Sequence, residues 1–117
     1  MPHLVVEHST EGHGDAFDAK SLMEALHDAA AATGVMQAAD IKIRAMPYAD
    51  YLLARKRDGF CHLSVHMLEG RTPEQKVVVS EALRAVMARL LPHTKSLSVD
   101  IRDMDAVTYK KRLNDLV

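Results

Sequence analysis

Four short strand-like stretches, interleaved with two of helical periodicity, constrain the fold of this chain more than any other feature. Pro2–His8 is apolar and rich in β-branched residues and runs into the polar Ser9–Gly14, which reads as a strand and then a loop. From about Asp18 to Thr33, Leu22, Leu26 and Ala29 recur at helical spacing, and Gly34 suits the left-handed position that ends a helix. Ile41, Ile43 and Ala45 alternate with Lys42, Arg44 and Met46, the period of a half-buried strand. Pro47–Gly59 reads as a connection with room for a helical turn. Leu63, Val65 and Met67 then alternate with His62, Ser64 and His66 in a third strand. Thr72 as N-cap, Pro73 at the first helical position and Gln75 at the third open a second helix. Its stripe is Val79, Leu83, Val86 and Leu90, and Pro92 stops it. Leu97, Val99 and Ile101 alternate with Ser96, Ser98 and Asp100 in a fourth strand. Arg102–Val117 is a charged tail with Tyr109, Leu113 and Leu116 as candidate anchors and oligomer contacts.

The order β-α-β-β-α-β predicts an α/β fold of the α+β two-layer kind, a four-stranded mixed sheet with two helices on one face. Right-handed crossovers make the strands within each half parallel. The halves are similar in pattern without evident sequence repetition. At 117 residues the chain is expected to be one domain, 1–117, with one modest core. The sheet's other face is left uncovered, and Val5, Ile43, Val65 and Val99 or their alternating neighbours must point to it. This predicts a covering subunit.

Fifteen basic residues against sixteen acidic ones leave no basic field for nucleic acid. Aromatic residues are only 4%, without tryptophan, which argues against a base-stacking platform. No apolar run approaches the ~20 residues of a membrane span, and no signal peptide is visible. The lone Cys61 cannot form an internal disulfide, so a cytoplasmic setting is expected.

The candidate chemistry begins at Pro2. Excision of Met1 would leave a free secondary amine at the head of the first strand, whereas an internal prolyl nitrogen is an amide without basicity. A terminal α-amine titrates at about 7.7–8.0, and burial or a cationic neighbour draws it toward the range useful for a general base. Gly70-Arg71-Thr72-Pro73 leaves a strand and opens a helix, where unpaired N–H groups and a planar guanidinium suit a carboxylate. An ordinary capped turn with a solvated arginine has the same sequence. Lys42 and Arg44 share one strand face, which is either solvated or an anion pocket. His62 and His66 are four residues apart on a strand, about 13 Å at ~3.3 Å per residue, too far to hold one metal ion. Cys61 and His62 point to opposite faces, so Cys61 reads as packing.

Pro2-His3-Leu4-Val5-Val6-Glu7, Thr33-Gly34-Val35, Ile41-Lys42-Ile43-Arg44-Ala45 and His66-Met67-Leu68-Glu69-Gly70-Arg71-Thr72 together resemble the 5-carboxymethyl-2-hydroxymuconate isomerases of the tautomerase superfamily. Leu68–Lys76 also resembles 4-oxalocrotonate tautomerase, a smaller relative. The resemblance spans nearly the whole chain. It implies cofactor-free proton transfer, with Pro2 as the base that carries a proton from a dienol hydroxyl to a distant carbon. The product is an unsaturated 2-oxo acid in aromatic catabolism through homoprotocatechuate. It also implies that Arg71 binds a substrate carboxylate, that the substrate is a small multi-carboxylate molecule, and that the protein is a closed homotrimer. Family members often carry arginine where this chain has Lys42. Lysine keeps the charge but loses the bidentate fork, which leaves Arg44 as the alternative carboxylate partner. Glu7 matches the resemblance without a mechanistic role. Two other functions fit the same residues: a tautomerase of another 2-hydroxydienoate or phenylpyruvate-like acid, and a non-catalytic oligomeric binding protein.

Overall fold

The computed structural model of the chain describes residues 1–114; the expected anchor Leu116 lies outside them. Strand β1 (His3–Ser9) is followed by helix α1 (Ala19–Ala32), a 3-10 turn (Ala38–Asp40) and β2 (Lys42–Tyr48). The second half repeats the plan with β3 (Phe60–Leu68), α2 (Pro73–Leu90) and β4 (Ser96–Met104). The sheet order is β2-β1-β3-β4. β1 pairs with β2 and β3 with β4 in parallel, while β1 and β3 run antiparallel at the centre. That is the mixed sheet expected from the element order.

Local chemistry sets the helix ends. The Asp18 carboxylate accepts from Ser21 N at 3.1 Å and opens α1. Gly34 ends it with φ +75°, its N–H donating to Ala31 O at 3.2 Å. Thr72 and Gln75 form the reciprocal capping box of α2, with Gln75 N to Thr72 Oγ1 at 3.2 Å and Thr72 N to Gln75 Oε1 at 2.9 Å.

The core lies between the helices and one sheet face. Leu4 and Val6 of β1 and Leu63 and Val65 of β3 are fully buried against Leu26, Val79, Leu83 and Met87. Burial of each such side chain contributes about 1.5–3 kcal/mol. The inner stripes differ slightly from those expected: Ala30 rather than Ala29 is buried in α1, and Met87 takes the place of Leu90 in α2. Leu90 falls at the last turn, where the stripe has rotated outward.

One alternative about the rest of the chain is decided and two expectations are corrected. Ile43, Val65 and Val99 pack toward the helices, and of the four named residues only Val5 faces the open side. Their neighbours on the open face are Lys42, Arg44, Ser64, His66, Ser98 and Asp100, so that face is mainly polar. Pro47 and Tyr48 continue β2. The connection that follows holds no helical turn. Instead Leu53 and Lys56 exchange backbone hydrogen bonds of 2.8 and 2.9 Å around Ala54 and Arg55, whose φ values are 48° and 70°. Two consecutive positive φ angles match the twist of a tight hairpin, although glycine or asparagine is usual there. Finally, Arg102–Met104 belong to β4, so the tail begins only at Asp105.

Candidate active site

The antiparallel centre of the sheet decides what meets Pro2. Because His3 lies opposite His66 in the register, the end of β3 and the turn after it stand beside the start of β1. Arg71 is on that turn. The parallel pairing of β1 with β2 brings Lys42 opposite His3, and Lys42 N donates to Pro2 O at 3.1 Å. Pro2 is buried, while Lys42 and Arg71 are half-buried. The chain terminus therefore sits where three elements converge.

Its electrostatics follow from that placement. The Met1 amine has its pKa lowered, first by desolvation and then by the charges of Arg71, Lys111 and Lys42, with Asp40 acting in the opposite direction. Among the described residues, none of these three cations has a carboxylate within ion-pair distance. Among the described residues the Arg71 guanidinium donates only to the Leu68 carbonyl, at 3.4 Å. Cations left unpaired in a half-buried site are suited to an anionic ligand.

Arg44 stands apart. It is exposed, two residues further along β2, and its Nη1 donates to His3 Nδ1 at 3.2 Å. That contact fixes the tautomer: Nδ1 accepts, so neutral His3 carries its proton on Nε2 and donates to Tyr109 Oη at 3.0 Å. Burial first, then Arg44, lowers the His3 pKa. Of the two cations weighed on β2, Lys42 is the one beside the terminus.

Lys111 and Asp40 were missed in the sequence. The basic run Lys110-Lys111-Arg112 was visible, but nothing local says that a tail folds back to the first residues. Glu7 accepts from Tyr48 Oη at 2.5 Å, a link between β1 and β2 on the open face. His62 Nδ1 lies 2.6 Å from Ser98 Oγ. Cys61 is buried, and desolvation pushes its thiol up to about 12, which suits packing rather than nucleophilic chemistry.

The structure also reveals a repetition that the sequence conceals. Ser96 N donates to Gly59 O at 3.2 Å, as Lys42 N does to Pro2 O. Glu11-Gly12-His13 follows β1 as Glu69-Gly70-Arg71 follows β3, and both glycines have positive φ, 88° and 113°. Gly59 is thus the second-half counterpart of Pro2, and His13 that of Arg71. The counterpart end is filled. His13 is buried, donating from Nε2 to Ser9 O at 2.7 Å and accepting at Nδ1 from Thr94 Oγ1 at 2.7 Å. The Gly12 and Gly59 backbones pack so closely that a Cβ on Gly59 would lie 2.1 Å from Gly12 O. A cleft of about 550 Å³ opens at this same end, lined by Leu53, Lys56, Asp58, Lys95 and Leu97. It is at the far end of β3 from Arg71.

The two-layer fold sets a proline at the head of β1 and the turn that carries Arg71 at the same end of the sheet. Solved structures share the architecture. A 5-carboxymethyl-2-hydroxymuconate isomerase from Deinococcus radiodurans R1 aligns with TM-score 0.79 and 24% identity, over 97% of this chain and 90% of that one. A 5-carboxymethyl-2-hydroxymuconate delta-isomerase aligns with TM-score 0.73 and 24% identity, over 98% and 89%. A fused 4-OT, described as a wild-type symmetric trimer, aligns with TM-score 0.72 and 23% identity, over 88% and 85%. No curated protein sequence matches the chain. The sequence model of the 5-carboxymethyl-2-hydroxymuconate isomerase family matches residues 2–115, and the chain belongs to that family of isomerases.

Proposed function

We propose that the protein is a 5-carboxymethyl-2-hydroxymuconate delta-isomerase of aromatic catabolism, acting in the cytoplasm without a cofactor, with Pro2 as its base once Met1 is removed. The observation that carries this reading is the convergence of Arg71, Lys42 and Lys111, unpaired among the described residues, on the chain terminus. Excision of Met1 puts a secondary amine into that surrounding. There the cations disfavour the ammonium form and so keep the base available. The amine takes the hydroxyl proton of the dienol and returns a proton to a distant carbon, leaving a 2-oxo group. Negative charge that develops on the oxygen and along the diene is stabilised by the same fixed cations. Arg71 binds one substrate carboxylate, with Lys42 on β2 as the second cation facing that same group.

Arg71→Ala tests the substrate half of this reading. Losing hydrogen bonds to a charged group costs about 1.5–3 kcal/mol, so KM for a carboxylate substrate should rise roughly tenfold to a hundredfold. Stability should be little changed, because Thr72 and Gln75 still cap α2. Steady-state kinetics with a 2-hydroxymuconate substrate, alongside a thermal melt, measures both. Unchanged kinetics would return Arg71 to the role of a solvated turn residue.

Lysine at position 42 favours a second reading, an isomerase of another 2-hydroxydienoate. An ammonium binds as a point charge and recognises a planar carboxylate less selectively than a guanidinium does. Relative turnover on acids with one, two and three carboxylates separates the two readings.

The assembly we propose is a homotrimer. The helices cover one sheet face only, and the open face carries Val5, Phe60 and Leu68 among its polar residues. A subunit placed there would meet Arg44, His66, Ser98 and Asp100 as well, so its contacts would be largely hydrogen bonds and ion pairs. The fold is shared with a fused 4-OT described as a symmetric trimer. Light scattering at micromolar concentration should give about three times the monomer mass; a stable, active monomer would refute the assembly.

A further inference from the structure

We infer that the C-terminal segment from Met104 to Lys111 is a strap across the site, and that Lys111 on it binds a second carboxylate of the substrate. The inference rests on the proposed function for the identity of the ligand, an unsaturated acid with more than one carboxylate.

The strap is tied at both ends to the elements that build the site. At one end Glu69 N donates to Met104 O at 3.0 Å, and Ala106 N donates to Glu69 Oε2 at 3.2 Å. Glu69 is two residues before Arg71. At the other end Tyr109 Oη accepts from His3 Nε2 at 3.0 Å, with the two rings in an edge contact at 5.9 Å. His3 follows Pro2. Between these ties the chain turns tightly: Asp105 Oδ1 accepts from Val107 N at 2.8 Å, and Tyr109 N donates to Asp105 O at 2.9 Å.

These ties fix the direction in which the chain continues. Two residues past Tyr109, Lys111 is half-buried while its neighbours Lys110 and Arg112 are exposed. It has no carboxylate partner among the described residues. Its charge acts on the terminal amine, together with those of Arg71 and Lys42. A half-buried lysine with no carboxylate beside it among the described residues is free to pair with an anionic ligand. Arg71 arrives from the turn after β3, Lys42 from β2 and Lys111 from the strap, so the three cations approach from different directions. That spread suits carboxylates at separate positions on one elongated molecule.

The test uses two inert probes that share a diene and differ in charge: trans,trans-muconate with two carboxylates and sorbate with one. Affinities are measured by isothermal titration for the wild-type protein, Lys111→Met and Lys111→Arg, with a thermal melt for each. Lys111→Met should weaken muconate binding about tenfold and leave sorbate binding unchanged, and Lys111→Arg should restore most of the loss. Equal losses for both probes, or no loss for either, would overturn the inference. The readout does not depend on turnover: an active Pro2→Ala variant would defeat the proposed base while leaving this result intact. Conversely, an inactive Pro2→Ala with an unaltered Lys111→Met would defeat the strap alone.

Discussion

Protein that retains Met1 should turn over a 2-hydroxymuconate substrate about 10²–10⁴-fold more slowly than protein from which it has been removed, the usual range for losing a general base. The fold should be unchanged. With Met1 in place the nitrogen of Pro2 is an amide with no lone pair to offer, yet Lys42 N still donates to Pro2 O and β1 keeps both partners. Pro2→Ala, with its own terminus exposed, should also lose at least about a hundredfold. It retains an amine, but a primary one that rotates freely where the proline ring held the lone pair in one direction. Intact mass identifies which terminus is present, and initial rates on a conjugated dienol report turnover. The pH profile adds a sign. Desolvation, Arg71, Lys111 and Lys42 lower the pKa of the Met1 amine against the opposing Asp40. The pKa of a Pro2 amine meeting the same groups should be lowered in the same direction, so activity should rise with pH through a value below that of an ordinary terminal amine. Near-normal turnover by the Met1-retaining form would sink the mechanism.

Gly59→Ala should destabilise the protein by about 2–3 kcal/mol or more, at the upper end of what overpacking costs. The added Cβ would meet Gly12 O at 2.1 Å and Gly12 C at 2.6 Å. Both are backbone atoms of the segment that Ser9 and His13 anchor, through Ser9 Oγ to Glu11 O at 2.7 Å and His13 Nε2 to Ser9 O at 2.7 Å. Neither can swing aside as a flexible side chain would. Relief requires β3 to part from the loop after β1, which exposes the buried His13 and the stacked pair of His8 and Phe17, whose rings lie 3.7 Å apart. Gly34→Ala is the matching control. It has open space around it and only a positive φ of 75° to pay for, so it should cost about 1–2 kcal/mol. Urea denaturation of the two variants compares these effects. A Gly59→Ala midpoint equal to that of the wild type would show that the two backbones are not in close contact.

Much of the fold was legible because its signals are local. The alternation of Leu63, Val65 and Met67 with His62, Ser64 and His66 survives unchanged in β3, where the first set is buried and the second half-buried. Thr72, Pro73 and Gln75 form the predicted cap, and Gly34 ends α1 with the predicted backbone. Where the reading failed, the deciding contact was distant in sequence. Arg102 and Asp103 look like the start of a polar tail, yet they pair with His66 and Met67 because β3 is long enough to template them. Whether Ile43 and Val99 or their neighbours face outward stays open in the sequence, because alternation gives two sets of residues without saying which lies under the helices.

The candidate site divides in the same way. Pro2 and Arg71 are 69 positions apart in the numbering, and each was recognisable from its immediate neighbours: a proline at the head of a strand, and an arginine at a capped helix start. That they meet depends on β1 and β3 running antiparallel, which sets His3 opposite His66. The choice of Lys42 over Arg44 likewise waits on register, since both lie on one strand face and only one is opposite His3. Lys111 and Asp40 have no local signature at all. The sequence by itself determined the elements and most of their ends, and marked Pro2 as the candidate base and Arg71 as the candidate carboxylate ligand, because propensity and capping act within a few residues. Only the tertiary structure decided which charges surround the amine, because Coulomb interactions depend on distances that strand pairing and the return of the tail create.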